Sequence, residues 1–340
     1  MKSEMAPCPS PPRRARLLAI VSLLGAAGCS QFPWVCDDVD TSRVALLPAR
    51  LADTGLFADA TAETIAPDVL AYTPQFALWS DSAEKRRWAW FPPGARIDTS
   101  DMDGWIFPEG TKLWKEFTRD GVRVETRLIQ KVGPKDDDWV ALAYLWDGEQ
   151  REANAAPYGA IDAHGTAHDV PASSECQACH GGRKSFVLGF SAIQLSKPAT
   201  PGQVDVTALA AANLLSVAPP DSFVVPGSDV ERRALGYLHA NCSHCHNQHR
   251  PARGGARCFD PQKKYDFGLS VADLGAVTET ATYRTAVGSA IKPGRPGDSL
   301  LIDLVSHRGF GAQMPPLASE RVDEDAVALL VQWIQQLRAP

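Results

Sequence analysis

Between Leu78 and about Ala155 the chain alternates apolar and polar positions in short runs: Trp88-Ala-Trp-Phe91, Lys112-Leu-Trp-Lys-Glu-Phe117, Val122–Lys131 and Trp139–Trp146. Alternation with a period of two puts one side of each run against a core and marks β-strands. Turn signals separate the runs: Pro92-Pro93-Gly94, Pro108-Glu109-Gly110, Asp120-Gly121 and Gly133-Pro134-Lys135. Asp120-Gly121, with an alternating run on each side, predicts a two-residue hairpin. The tryptophans of these runs read as core rather than as the wall of a cofactor pocket. An antiparallel β domain is therefore predicted over residues 76–160.

The pattern changes on either side. Residues 29–75 mix short apolar stretches with Pro33, Pro48, Pro67 and Pro74 and read as an extended segment. After Tyr158 the alternation stops, and residues 161–225 hold one short helical stretch, Asp205–Leu215, ahead of Pro219-Pro220 and Pro226-Gly227. Residues 226–340 are predicted to be helical at both ends. Ser228-Asp-Val-Glu231 is a capping box. Val327, Leu330, Val331, Ile334 and Leu337 form an apolar stripe at helical spacing over Asp325–Leu337, with Asp323 as a cap. The fold class expected is α+β, an N-terminal antiparallel β domain followed by two α-helical segments.

Charge and the start of the chain place it in a compartment. Residues 1–28 carry Lys2, Arg13, Arg14 and Arg16 before a twelve-residue apolar or small run, Leu17–Gly28, which is too short to span a bilayer and fits a signal peptide. The run ends Gly25-Ala26-Ala27-Gly28-Cys29, which resembles a bacterial lipobox, and Cys29 is the expected lipidation site. An ordinary cleaved signal peptide with an incidental Cys29 is the alternative. Beyond residue 28 the chain holds 30 Lys and Arg against 39 Asp and Glu. That acidic balance speaks against nucleic acid as a partner. The expected location is the cell envelope, lipid-anchored and facing the periplasm, with the outer membrane favoured by Ser30 after the cysteine.

The strongest chemical signal is a repeated pentapeptide. Cys176-Gln-Ala-Cys-His180 and, 66 residues later, Cys242-Ser-His-Cys-His246 both read C-x-x-C-H, the spacing of c-type haem attachment. Two thiols three positions apart can each form a thioether to one haem vinyl group, and the next histidine then lies under the iron. Cys176, Cys179, Cys242 and Cys245 are therefore the expected covalent attachment points of two haem c groups, with His180 and His246 as proximal ligands. One zinc site built from the four cysteines is the alternative; it leaves both histidines without a role. Cys36 and Cys258 remain, and in an oxidising compartment an even remainder suggests a disulfide, with two unpaired thiols as the alternative.

A helix running into C-x-x-C-H, a loop, a late methionine and a closing amphipathic helix is the layout of a class I cytochrome c over residues 226–340. Met314-Pro315-Pro316 falls where that layout supplies the second axial ligand. Gly236 and Trp333 are the expected close crossing of the first and last helices.

The chain also resembles a family of exported di-haem c-type cytochromes. The resemblance covers roughly residues 46–340. It rests on Leu78-Trp-Ser-Asp81 with Lys85-Arg86, Phe107-Pro-Glu-Gly-Thr111 with Lys115-Glu-Phe117, Glu125-Thr-Arg-Leu128 and Tyr237-Leu-His-Ala-Asn-Cys-Ser-His-Cys-His-Asn247. Pro293-Gly294 with Ser299-Leu300, and Met314-Pro-Pro316, complete it. The resemblance implies an N-terminal β region followed by two haem-bearing segments, and no substrate.

Met314 opposite His246 would saturate the second iron and raise its potential, which suits electron transfer. For the first iron the candidates are His168, His239 and Met102, and an open sixth position is the other possibility. His244 and His249 read as surface residues. Three functions follow. The first is an electron carrier between a periplasmic dehydrogenase and a terminal acceptor, with no catalytic residue assigned. The second is a haem enzyme, such as a di-haem peroxidase with an open first haem. The third makes the β domain a binding module for a protein or glycan.

Overall fold

The computed structural model describes residues 41–59, 61, 63–183, 185–220, 223–248, 264–309, 313–316 and 319–338. Residues 1–28, read above as a signal peptide, and Cys29, Cys36, Cys258 and His249 lie outside the described residues. The protein is α+β, an N-terminal six-stranded antiparallel sheet followed by a mostly helical region. No helix among the described residues is long and apolar enough to cross a membrane.

The strands follow one another as an antiparallel meander: β1 (Leu70–Ala71), β2 (Glu84–Trp90), β3 (Lys112–Arg119), β4 (Val122–Lys131), β5 (Trp139–Trp146) and β6 (Ala153–Ala155). The alternating runs thus become the four long strands, β2 starting four residues before the apolar stretch that announced it. The β3–β4 connection is the expected two-residue hairpin. Asp120 and Gly121 both have positive φ, 50° and 80°, as a type I′ turn requires to match the strands' right-handed twist.

Both faces of this sheet are covered. On one, Trp88, Trp114, Leu128 and Leu142 lie in one cross-strand row and pack with Leu47, Leu51, Leu56 and Phe57 of the N-terminal segment. Two buried rings keep a polar partner there: Trp114 Nε1 donates to Thr54 Oγ1 at 3.1 Å and Tyr144 OH to Pro48 O at 2.9 Å. The other face presents Ala89, Leu113, Ile129 and Ala141, against which Phe186, Phe190, Leu195 and Leu209 pack. One hydrophobic core therefore joins the sheet to residues 186–215.

The helices are α1 (Cys176–His180), α2 (Val206–Ala211), α3 (Asp229–Asn241), α4 (Ala281–Ala286), α5 (Leu300–Val305) and α6 (Glu324–Gln336). Asp205 caps α2 through Ala208 N at 2.8 Å, and Asn213, in the left-handed region at φ 58°, ends the turn earlier than the apolar spacing predicts. The capping box of α3 is reciprocal: Glu231 N donates to Ser228 Oγ at 3.3 Å and Ser228 N to Glu231 Oε2 at 2.7 Å. Asp323 caps α6 by accepting from Ala326 N at 3.1 Å.

Helices α3 and α6 share a core containing Leu235, Leu238, Leu330, Trp333 and Ile334. The close approach at Gly236 needs correction. The atoms nearest to where a Cβ would stand belong to Phe76, 2.0 Å away, so the glycine admits a ring from the segment ahead of β2. Asn241 fixes the same segment, accepting from Trp79 N at 2.7 Å and donating to Ala77 O at 3.1 Å. Asp81 continues the contact by accepting from the backbone N–H groups of Glu320 and Arg321 at 2.9 and 2.7 Å. The residues between β1 and β2 thereby tie the sheet to the start of α6.

Candidate functional site

The first C-x-x-C-H forms α1, a single helical turn that puts Cys176 and Cys179 on neighbouring positions of one side. His180 closes the turn. Its Nδ1–H donates to Phe186 O at 2.6 Å, and its ring leans on Phe186, which stacks on Trp139 of β5. An Nδ1–H held by a carbonyl leaves Nε2 as the lone-pair nitrogen, the arrangement a metal-binding histidine needs. Burial pushes His180 down to about 4, so the ring is neutral at neutral pH.

The second motif follows directly from α3. Cys242 ends the helix, its N–H donating to Leu238 O at 2.9 Å, and His246 N donates to Cys242 O at 2.8 Å, so the motif forms one further turn. The His246 ring meets Phe267 edge-on, with centroids 5.7 Å apart. None of the four cysteines is in a disulfide. Burial pushes the Cys176 and Cys242 thiols up to about 12.

The fold packs the two motifs against one another. Cys245 Sγ reaches Ala178 O at 4.0 Å, Arg183 Nη1 donates to Ser243 Oγ at 3.2 Å, and Asn247 Nδ2 donates to Gly182 O at 3.0 Å. Hydrogen bonds with Cys245 and then His244 hold the Cys179 thiol well below the usual range. His244, expected at the surface, is buried at 8 % exposure because it stands in this contact. The one group of three Cys, His or carboxylate side chains with converging ligand atoms among the described residues is Asp162, Asp169 and Glu320. The four thiols are not drawn together as a zinc tetrahedron requires. The donor set of each motif, two thiols on one turn and a following imidazole, is the set a covalent haem would use.

The candidates for the other axial positions are placed differently. Met314 is half-buried on the core cluster that Cys242 also packs against, and its N–H donates to Leu304 O at 2.9 Å. Met102, like Cys176, packs against the sheet's core. His168 is buried with its Nε2 2.7 Å from Glu125 Oε1, so as placed that nitrogen is engaged. His239 accepts from Leu269 N through Nδ1 at 3.0 Å. Its proton must then sit on Nε2, and the ring has no lone pair left for iron.

Burial pushes His239 down to about 3. The unfolded chain therefore takes up a proton near pH 6.5 that the native state refuses, and stability falls as pH drops below that value. His239→Leu should lower stability by about 1–3 kcal/mol at pH 7, because Leu269 N–H loses its acceptor. Denaturant unfolding at pH 7 and 5 should show the gap between parent and variant narrowing in acid.

The sequence reading quoted Glu125 and Arg127 of β4 as part of the family resemblance but gave them no role. Arg127 Nε donates to Glu125 Oε2 at 2.8 Å, Glu125 is fully buried, and its other oxygen meets His168. Burial alone would raise Glu125, but Arg127 and the His168 hydrogen bond outweigh it and hold the carboxyl below its ordinary value. The Arg127 charge also reaches Cys176 and Cys179. Glu125 and His168 are 43 residues apart in sequence, so their pairing could not be read from either segment alone.

Comparison with protein-family models, curated proteins and solved structures finds no match to this chain.

Proposed function

We propose that this chain is a di-haem c-type cytochrome that carries electrons in the bacterial cell envelope. One haem c is held by Cys176 and Cys179 with His180 as proximal ligand, the other by Cys242 and Cys245 with His246 and Met314 as the axial pair. The last segment is, in this reading, class I cytochrome c-like. The observation that carries the proposal is the contact between the two motifs, Cys179 against Cys245 and His244, which would tether both cofactors in one packed interior. Haem iron cycles between ferrous and ferric states when bound. At the first haem the chain's own part is to hold the proximal imidazole neutral and oriented, as Phe186 O does for His180.

The lipobox-like run ending at Cys29 supports a lipid anchor facing the periplasm, and the partners would be redox proteins, a dehydrogenase on one side and a terminal acceptor on the other. In the diferrous protein mixed with an oxidised acceptor cytochrome, two electrons per chain should leave in full. Electrons that stay behind would contradict a carrier.

A second reading, a haem enzyme, gains from the buried His168–Glu125–Arg127 group, an acid/base constellation beside the first motif. Reduction of peroxide to two waters consumes two electrons and two protons, and such a group could deliver protons. Sustained peroxide turnover that Glu125→Gln abolishes would favour it. Absence of turnover, with both ferric haems low-spin, would favour the carrier.

A further inference from the structure

The face of the sheet that meets the first motif carries an unusual row. Arg87 of β2, Lys115 of β3 and Arg127 of β4 are direct cross-strand partners, and Lys85 lies one pair further along the same face. Like charges placed opposite one another in adjacent strands destabilise a sheet, and burial raises the cost. Arg87 is only 8 % exposed, yet among the described residues its side chain has no hydrogen-bond or ion-pair partner. Lys115 and Lys85 stand over the Phe117 ring at 4.8 and 5.8 Å, and Lys85 donates to Ala83 O at 2.8 Å.

Nearby carboxylates are already committed. Glu125 serves Arg127 and His168, and Asp81 accepts from two backbone N–H groups near residue 320. Burial and the neighbouring cations push the Lys115 amine well below its ordinary value and Lys85 down to about 8. Three basic groups therefore stand beside the motif with no carboxylate of their own among the described residues, and an anion bound there would restore their charge. The charges of Lys115 and Arg127 are felt at His180, and that of Arg127 at both thiols, so the row borders the space next to α1.

We propose that Lys85, Arg87 and Lys115 receive the propionate carboxylates of the haem attached at Cys176 and Cys179. The inference rests on the di-haem reading, which puts a dianionic group at this motif and at this wall. Arg and Lys together suit two carboxylates, the guanidinium as a fork and the amines as point charges. On this account the antiparallel sheet is one side of the first haem site. Its positive charge disfavours the ferric state there and raises that haem's potential above what its axial ligands alone would give.

The test uses the holoprotein with Lys115→Met, Lys115→Arg and, as a remote charge control, Arg151→Met, whose side chain is 77 % exposed in a turn. Midpoints are followed for each haem separately, together with the propionate bending bands in resonance Raman spectra. In Lys115→Met the ferrous-to-ferric ratio of the first haem at fixed poise should fall about tenfold, roughly 59 mV for one electron. Its propionate band should move while the second haem stays unchanged. Lys115→Arg should restore both readouts, and Arg151→Met should leave both as in the parent. Lys85→Met, at the more open end of the row, gives the same readout if Lys115→Met yields no holoprotein. Two covalent haems with both midpoints and propionate bands as in the parent would overturn the inference and leave the di-haem reading standing. Fewer than two covalent haems in the parent protein would instead overturn the di-haem reading, and the inference with it.

Discussion

Glu125→Ala is expected to lower stability by about 3–5 kcal/mol at pH 7, the cost of stranding a buried charge. The carboxylate is fully buried between Arg127, at 2.8 Å, and His168, at 2.7 Å. Alanine leaves the guanidinium in a row that already holds Arg87 and Lys115, with no counter-charge. The sign with pH follows from the depressed carboxyl. Its stabilisation is complete above the ordinary glutamate value and is lost as pH falls through the lower native one. Denaturant unfolding at pH 7 and pH 3 should show a large gap between parent and variant that shrinks in acid. A variant within about 1 kcal/mol of the parent at pH 7 would show that the triad is held by its surroundings instead.

The second large effect concerns Met314. Its loop is pinned: Gln313 Nε2 donates to Pro315 O and Ser319 O, each at 3.0 Å, and Met314 itself lies on the α3–α6 core. If its sulfur is the sixth ligand opposite His246, Met314→Ala removes a bond that favours ferrous iron. The second haem's midpoint should then fall by on the order of 0.1 V or more, within the roughly 0.8 V that axial ligands span. The weak far-red charge-transfer band of the ferric protein should disappear, with the haem count unchanged. A redox titration that follows both haems is the check. Two unchanged midpoints with the band intact would reduce Met314 to a packing residue.

Much of the frame was legible because it is local. Period-two alternation marked the four long strands, Asp120-Gly121 their tightest turn, and Ser228 with Glu231 the start of α3. The short strands β1 and β6 were not, since runs of two and three residues carry no periodicity. The charged patch was hidden for a different reason. Lys85, Arg87, Lys115 and Arg127 share one face with the apolar Ala89, Leu113, Phe117 and Ile129, so no strand read alone marks a charged wall. Here the N-terminal segment covers one face and residues 186–215 cover part of the other, so polar positions were buried by chain distant in sequence. His244 misled in the same way: nothing within its own helix announces that Cys179 will pack against it. Each motif was readable alone, whereas their contact, 66 residues apart in the chain, is a product of the fold.

The central claim is that each C-x-x-C-H carries a covalent haem. The most direct measurement is a pyridine haemochrome assay on protein matured in a host with c-type haem attachment, referred to chain concentration and repeated after acid-acetone extraction. The account predicts two haems per chain, both retained after extraction. One haem or none, haem that extracts, or stoichiometric zinc bound by the four thiols would contradict it.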